Sequence, residues 1–128
     1  MRFLDEMAAH LENEGVAQAG KTVFTNSLPS EVILGIGLFG KLTGDPIDHE
    51  VPGLRKTSFQ LVVRCQNFDE GYELIQQAMD ALTITKERSL PEFHINYVRP
   101  KHDPVSYPVS DGNLIELSVN FDACYVIV

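Results

Sequence analysis

The run Gly35-Ile36-Gly37-Leu38-Phe39-Gly40 matches the G-x-G-x-x-G pattern of dinucleotide-binding loops, and Lys41 brings it close to a phosphate-binding loop. Both kinds of loop start a helix at the glycines, so that free amide groups and the helix dipole meet a phosphate. Lys41 to Pro52 holds proline and glycine and has no helical period, and Leu42 stands where serine or threonine would bind magnesium. The glycines therefore suit a strand end and a flexible loop better than a nucleotide site. Asp45, Asp48, His49 and Glu50 form a polar cluster and His102-Asp103 another. A metal site or an acid–base pair would need the two loops to meet, but no pair has a recognised ligand spacing, and hydrated loop carboxylates explain the residues equally well. Cys65 and Cys124 lack metal-site spacing and the basic, exposed setting that activates a thiolate, so both read as reduced and structural. No serine, histidine and acid set with nucleophile-elbow glycines is visible. Neither an enzyme nor a cofactor or metal is expected.

The elements that would position such residues belong to a chain of 128 residues, 44% hydrophobic and 22% charged, which fits a single folded domain over 1–128. A formal charge of −8 lacks the lysine and arginine excess with which an autonomous nucleic-acid binder neutralises phosphates. The start, MRFLDEMAAHLENEG, mixes acids into every turn, unlike a secretory signal or a transit peptide. No stretch approaches the roughly 18 apolar residues of a membrane span. A soluble protein made in a cytoplasm, without a membrane partner, is expected.

Phe3, Leu4, Met7, Ala8 and Leu11 make a helical stripe that Gly15 is placed to end. Lys21 to Thr25 and Glu31 to Leu38 read as strands around the turn Asn26 to Pro29, an antiparallel hairpin whose second strand, apolar on both faces, is central. Phe39 to Leu54 is a long loop with no sustained period. Its apolar Leu42, Ile47, Val51 and Leu54 either dock on another surface or fold back on their own sheet. Pro52-Gly53 is a turn signal. Arg55 and Lys56 follow, a pair suited either to an acidic partner or to a solvated turn. Phe59, Leu61, Val63 and Cys65 alternate with Ser58, Gln60, Val62 and Arg64, a strand with one buried face. Asn67 can cap the next helix, whose stripe is Tyr72, Ile75, Ala78, Met79 and Leu82. Phe93, Ile95 and Tyr97 alternate with His94, Asn96 and Val98, and the strand, helix, strand order favours a parallel pair. A second loop covers 99–112. The closing segment Asn113 to Val128 carries Ile115, Leu117, Val119, Phe121, Ala123, Tyr125 and Ile127 on one face of a very long strand that must bend or overhang. An overhang would be satisfied most simply by a neighbouring subunit. Cys124 falls on the opposite face from Tyr125, which disfavours a disulfide with Cys65. The fold class is α/β in the α+β sense: one mixed, mainly antiparallel sheet of about five strands, an N-terminal and a second helix packed on it, a long loop and a long C-terminal strand.

In this organisation, and most specifically in PGLRKTSFQLVVR followed by DEGYELIQQAMDAL, the chain resembles the tail terminator proteins of long-tailed bacteriophages, a family also described as minor capsid or tail-to-head joining proteins. The resemblance implies a subunit of a homohexameric ring that sits on the last ring of the tail tube, stops tube polymerisation and presents a surface to the head-completion or connector protein. DNA would pass through the lumen without sequence-specific binding, and the acidic chain suits such a lumen. The protein would be assembled in the host cytoplasm and reside in the virion at the head-proximal end of the tail. Subunit or tube contacts are placed by the resemblance in the first loop and closing strand: Leu42, Ile47, Val51, Leu54, Arg55, Lys56, Phe121, Tyr125 and Ile127. Other readings are a different phage head–tail completion protein, a ferredoxin-like small-ligand-binding or regulatory domain holding a metabolite at the Gly35 to Gly40 turn, and a small hydrolase using Asp45, Asp48, His49 and His102.

Overall fold

Phe3, Met7, Ala8 and Leu11 form the buried side of helix α1, Phe3–Asn13, in a computed structural model that describes residues 2–41, 43–108 and 114–128. Gly15 ends this helix with φ of 77°, while its N–H donates to the Glu12 carbonyl and that of Val16 to the Leu11 carbonyl. This pairing satisfies carbonyls that the last turn would otherwise leave open, and it folds Val16 onto the core. Helix α2, Phe68–Leu82, starts at Asn67, whose side-chain oxygen accepts from the Glu70 N–H at 3.2 Å. Its buried stripe is Gly71, Ile75, Ala78, Met79 and Leu82. Tyr72, expected in that stripe, points outward, because Gly71 occupies the contact and lets the helix lie close against the sheet.

The strands are β1 Val23–Thr25, β2 Gly35–Gly40, β3 Leu54–Cys65, β4 Arg88–Ser89, β5 Phe93–Pro100, β6 Val105–Pro108 and β7 Ile115–Ile127. They form one sheet in the order β1-β2-β3-β7-β5-β4, with β6 also pairing with β7. Leu61, Val63, Val119, Phe121 and Ile95 face the helices in one buried cluster. Both helices therefore lie on the same face of the sheet. Within that core Phe59 stacks on Phe121, Phe3 stacks on Tyr125, and Phe93 meets Phe3 and Tyr125 edge-on.

The sheet is mixed and mainly antiparallel, as the alternation predicts, but several details differ. β1 and β2 are parallel, with Val23 opposite Ile36, rather than a hairpin. Asn26 adopts φ of 56° and its side-chain oxygen accepts from the Gly40 N–H, so the chain leaves β1 beside the far end of β2 and must travel back to begin it. The Arg64 guanidinium holds that return segment through the Pro29 carbonyl at 2.8 Å. β3 and β5 run in the same direction but are not neighbours, because β7 lies between them and is antiparallel to both. This is a split βαβ arrangement.

β7 does not overhang. β3 pairs along its whole length on one side, and β5 followed by β6 share the other. The second loop is correspondingly shorter than 99–112, since Arg99 and Pro100 belong to β5 and Val105–Pro108 form β6; residues 109–112 lie outside the described residues. A register shift between Ile95 and Tyr97 breaks the alternation in β5, so that Val98, not Tyr97, enters the core.

Candidate assembly surface

The first loop is tied down at several points. Asp45 accepts from the Thr57 hydroxyl at 2.6 Å, and the Lys41 ammonium lies 3.8 Å from the same carboxylate. Asp48 accepts from the N–H groups of Glu50 and Val51 at 2.8 and 3.2 Å, folding the segment into a local turn. Gly53 then meets the end of β7: its carbonyl accepts from the Ile127 N–H at 2.8 Å, and a Cβ at position 53 would lie 2.8 Å from the Ile127 carbonyl oxygen. The loop thus packs on its own sheet while presenting apolar side chains to solvent.

Those side chains are Ile47, 57% exposed, and Val51, 47% exposed, with Ile127 at 45% beside the Gly53 junction. Leu54 is half-buried at the start of β3 opposite Val126. Leu42 lies outside the described residues. Arg55 is half-buried, and its guanidinium donates to the carbonyls of Pro52 and Leu54 at 2.6 and 3.0 Å, bracing the turn. Lys56 is exposed on the opposite face of the sheet from the helices. Phe121 and Tyr125, the remaining expected contact residues, are buried in the subunit's own core. The helices cover the apolar face of β7, so these side chains pack within the subunit's own core.

A crevice of about 250 Å³ opens where the loop's first half meets the start of α1, lined by Arg2, Asp5, Lys41, Asp45, Thr57 and Tyr125 among others. Burial pushes the Tyr125 phenol above its ordinary range; the nearby Asp45 charge adds to this and Arg55 opposes it. The crevice carries paired charges, Arg2 with Asp5 and Lys41 with Asp45.

Among the described residues, the other groups with chemical potential lie in separate places. Gly35, Gly37 and Gly40 lie within β2, where Gly37 leaves room for the Phe39 ring, and no helix begins there. His102 is held at the β5–β6 turn, its Nε2 accepting from the Asn120 N–H, half the length of β7 away from the Gly53 junction to which the Asp48 turn leads. Among the described residues no three histidine, cysteine or acidic side chains gather as metal ligands. Cys65 and Cys124 are free and buried on opposite faces of the sheet.

A family model described as bacteriophage tail terminator protein matches residues 10–127. The chain belongs to the bacteriophage tail terminator family. It is accordingly a structural protein of tail assembly and a virion component. The fold of this tail terminator is similar to that of a chain in the virion of a native gene transfer agent particle, with a TM-score of 0.63 at 15% identity, covering 95% of this chain and 84% of that one. A comparison with curated protein sequences gives no match. Among the described residues no helix is long and apolar enough to cross a membrane. The surface that sequence reasoning missed is the outward pair Phe68 and Tyr72, stacked at 5.8 Å on α2; their spacing of four places both on one helical face and was the available signal.

Proposed function

We propose that this tail terminator assembles into a homohexameric ring on the last ring of tail tube protein, ends tube polymerisation, and offers its other side to the head-completion or connector protein. The observation that carries this reading is the family match across residues 10–127, almost the whole chain. The tied loop fits it, because Ile47, Val51 and Ile127 are exposed together with a backbone that is already ordered. An ordered apolar surface loses less conformational entropy on docking than a mobile one. DNA passes through the lumen without sequence-specific contacts, in keeping with a charge of −8. Assembly takes place in the host cytoplasm, and the ring lies at the head-proximal end of the tail.

The ligand-binding alternative placed a metabolite at the Gly35 to Gly40 turn, and those glycines are instead part of a buried or half-buried strand. The hydrolase alternative needed His102 to meet the acids of the first loop, but His102 is engaged with the Asn120 N–H and the Asp103 carbonyl, while Asp45 accepts from Thr57 and Asp48 from Glu50 and Val51. The test is to add the purified protein to polymerising tube protein and measure tube lengths by electron microscopy. Capping predicts shorter tubes, each with one extra ring at a single end. Tubes of unchanged length, with no added density at either end, would remove the reading.

A further inference from the structure

Charge is divided unevenly between the two sides of this subunit. Helix α2 carries Asp69, Glu70, Glu73 and Asp80 and no lysine or arginine. Its first turns expose Asp69, Glu70 and Glu73 beside the stacked rings of Phe68, 45% exposed, and Tyr72, 43% exposed. None of these three carboxylates has a cation within ion-pair distance among the described residues.

The helix-free face of the sheet has the opposite character. The register places Lys56 opposite Cys124, and Tyr97 and Arg99 on the same face beyond the bulge in β5. Arg99 lies 4.3 Å above the Tyr97 ring, and both Arg99 and Lys56 are exposed. Among the described residues, the strand acids of this face are already matched, Glu116 by Arg64 and Asp122 by Lys101. Among the described residues neither Lys56 nor Arg99 forms a salt bridge, and Asp122, which stands opposite Arg99 in the register, is engaged by Lys101, so the face keeps an excess of cations.

The acidic aromatic patch and the cationic aromatic patch are on opposite faces of one sheet, so a single subunit cannot bring them together. Copies that each carry −8 repel one another at long range, and local charge complementarity opposes that repulsion and fixes which patches meet. Resting on the ring reading, we infer that the start of α2 in one copy, with Phe68, Asp69, Tyr72 and Glu73, docks on Lys56, Tyr97 and Arg99 of the next copy. Such a contact joins two different patches and repeats head to tail, which is the type of interface that generates a closed ring. The occupant of the helix-free face is thus a second copy of this chain.

The experiment uses two charge-reversed full-length proteins, Asp69→Lys/Glu73→Lys and Lys56→Glu/Arg99→Glu, whose substituted side chains are all exposed and whose folding is checked by circular dichroism and thermal melting. Mass is followed by light scattering over concentration and salt. Each reversed protein alone should assemble about tenfold or more weakly than the wild type, and an equimolar mixture should recover rings, since each variant restores complementarity to the other. Wild-type assembly should also weaken with salt. Reversed proteins that assemble as well as the wild type, or a mixture that fails to recover rings, would overturn the inference and leave the ring reading intact. Loss of binding to a duplex DNA probe by Lys56→Glu/Arg99→Glu with unchanged assembly would also overturn it, assigning the face to DNA. A wild type that stays monomeric both in solution and on tube ends would overturn the ring reading and this contact together.

Discussion

Gly71 of α2 lies against the Cys65 thiol of β3, so close that a Cβ at position 71 would fall 2.2 Å from Sγ and 2.8 Å from the cysteine Cβ. The absent side chain is what lets α2 settle on the sheet over Leu117. Gly71→Ala should therefore destabilise the subunit even though alanine is the better helix former by about 1 kcal/mol. The clash is expected to win by a net ~1–3 kcal/mol, read as a lower urea midpoint. Adding Cys65→Ala removes the nearest atom, so the double variant should lose less stability than the two single losses added together.

The same contact sets a pH dependence. Burial pushes the Cys65 thiol above its ordinary value of 9.0, the Glu70 charge raises it further, and the Gly71 N–H partly opposes both. The folded chain therefore holds the thiol proton at pH values where the unfolded chain releases it. Stability from this source is present below about pH 9 and is lost as pH rises beyond it. Cys65→Ala should flatten the fall of the urea midpoint above that pH, whatever its effect on the midpoint at neutral pH. Tyr125→Phe should act on the next part of the curve, because the Tyr125 phenol is likewise raised from 10.0. A slope unchanged in both variants would refute the assignment.

Arg64 joins three parts of the fold. Its guanidinium donates to Glu116 Oε2 through Nε and Nη2 at 3.1 and 3.0 Å, and through Nη1 to the Pro29 carbonyl at 2.8 Å. Lysine cannot reproduce this fork. Arg64→Lys is expected to cost about 1–3 kcal/mol. It should also speed amide exchange of Val32, whose N–H donates to the Pro29 carbonyl, more than that of β7 residues such as Val119. Equal acceleration throughout would mean that Arg64 acts on global stability alone.

Phe121 and Ile127 lie on one face of β7 yet have different environments. Phe121 is fully buried against Phe59, while Ile127 is exposed at the Gly53 junction. Phe121→Ala should cost about 3–5 kcal/mol in the monomer, and Ile127→Ser should leave thermal melting nearly unchanged. A small loss in Phe121→Ala would contradict its place in the core.

These contrasts show what the linear order of residues could reveal. Helix α1 and its end were legible because a helical stripe runs into a glycine that only a left-handed turn requires, and α2 because Asn67 and the stripe from Ile75 to Leu82 agree. The alternation of β3 and β7 likewise identified their buried faces. Pairing was less accessible. A strand's own pattern does not name its neighbour, so β7 between β3 and β5 and the parallel β1 and β2 had to come from three-dimensional contacts such as Arg64 with Pro29. The shift at Asn96 is equally silent, because one extra residue in β5 leaves Tyr97 and Val98 both plausible core residues. In the proposed assembly surface, Ile47, Val51 and Ile127 were legible only as apolar residues near turns, and the structure shows them exposed. Phe121 and Tyr125, expected at a contact, are buried in the subunit core, because an apolar face says that it is buried and not against what.

The first loop offers the sharpest separation between folding and assembly. Ile47 is exposed and Leu54 half-buried, while the loop's backbone is held by Asp45, Asp48 and Gly53. Replacing Leu42, Ile47 and Leu54 together by serine should therefore leave the subunit folded, with a melting temperature only a few degrees lower, while ring formation is blocked. Light scattering reads the ring and circular dichroism the fold. Asp48→Ala acts differently: it removes the acceptor of two backbone N–H groups and loosens the loop without deleting apolar surface, so it should weaken assembly less than the triple change does. Rings that form normally in the triple variant would show that this loop faces something other than a neighbouring subunit. Tube capping by that same variant would then report whether the tail tube is the surface it meets.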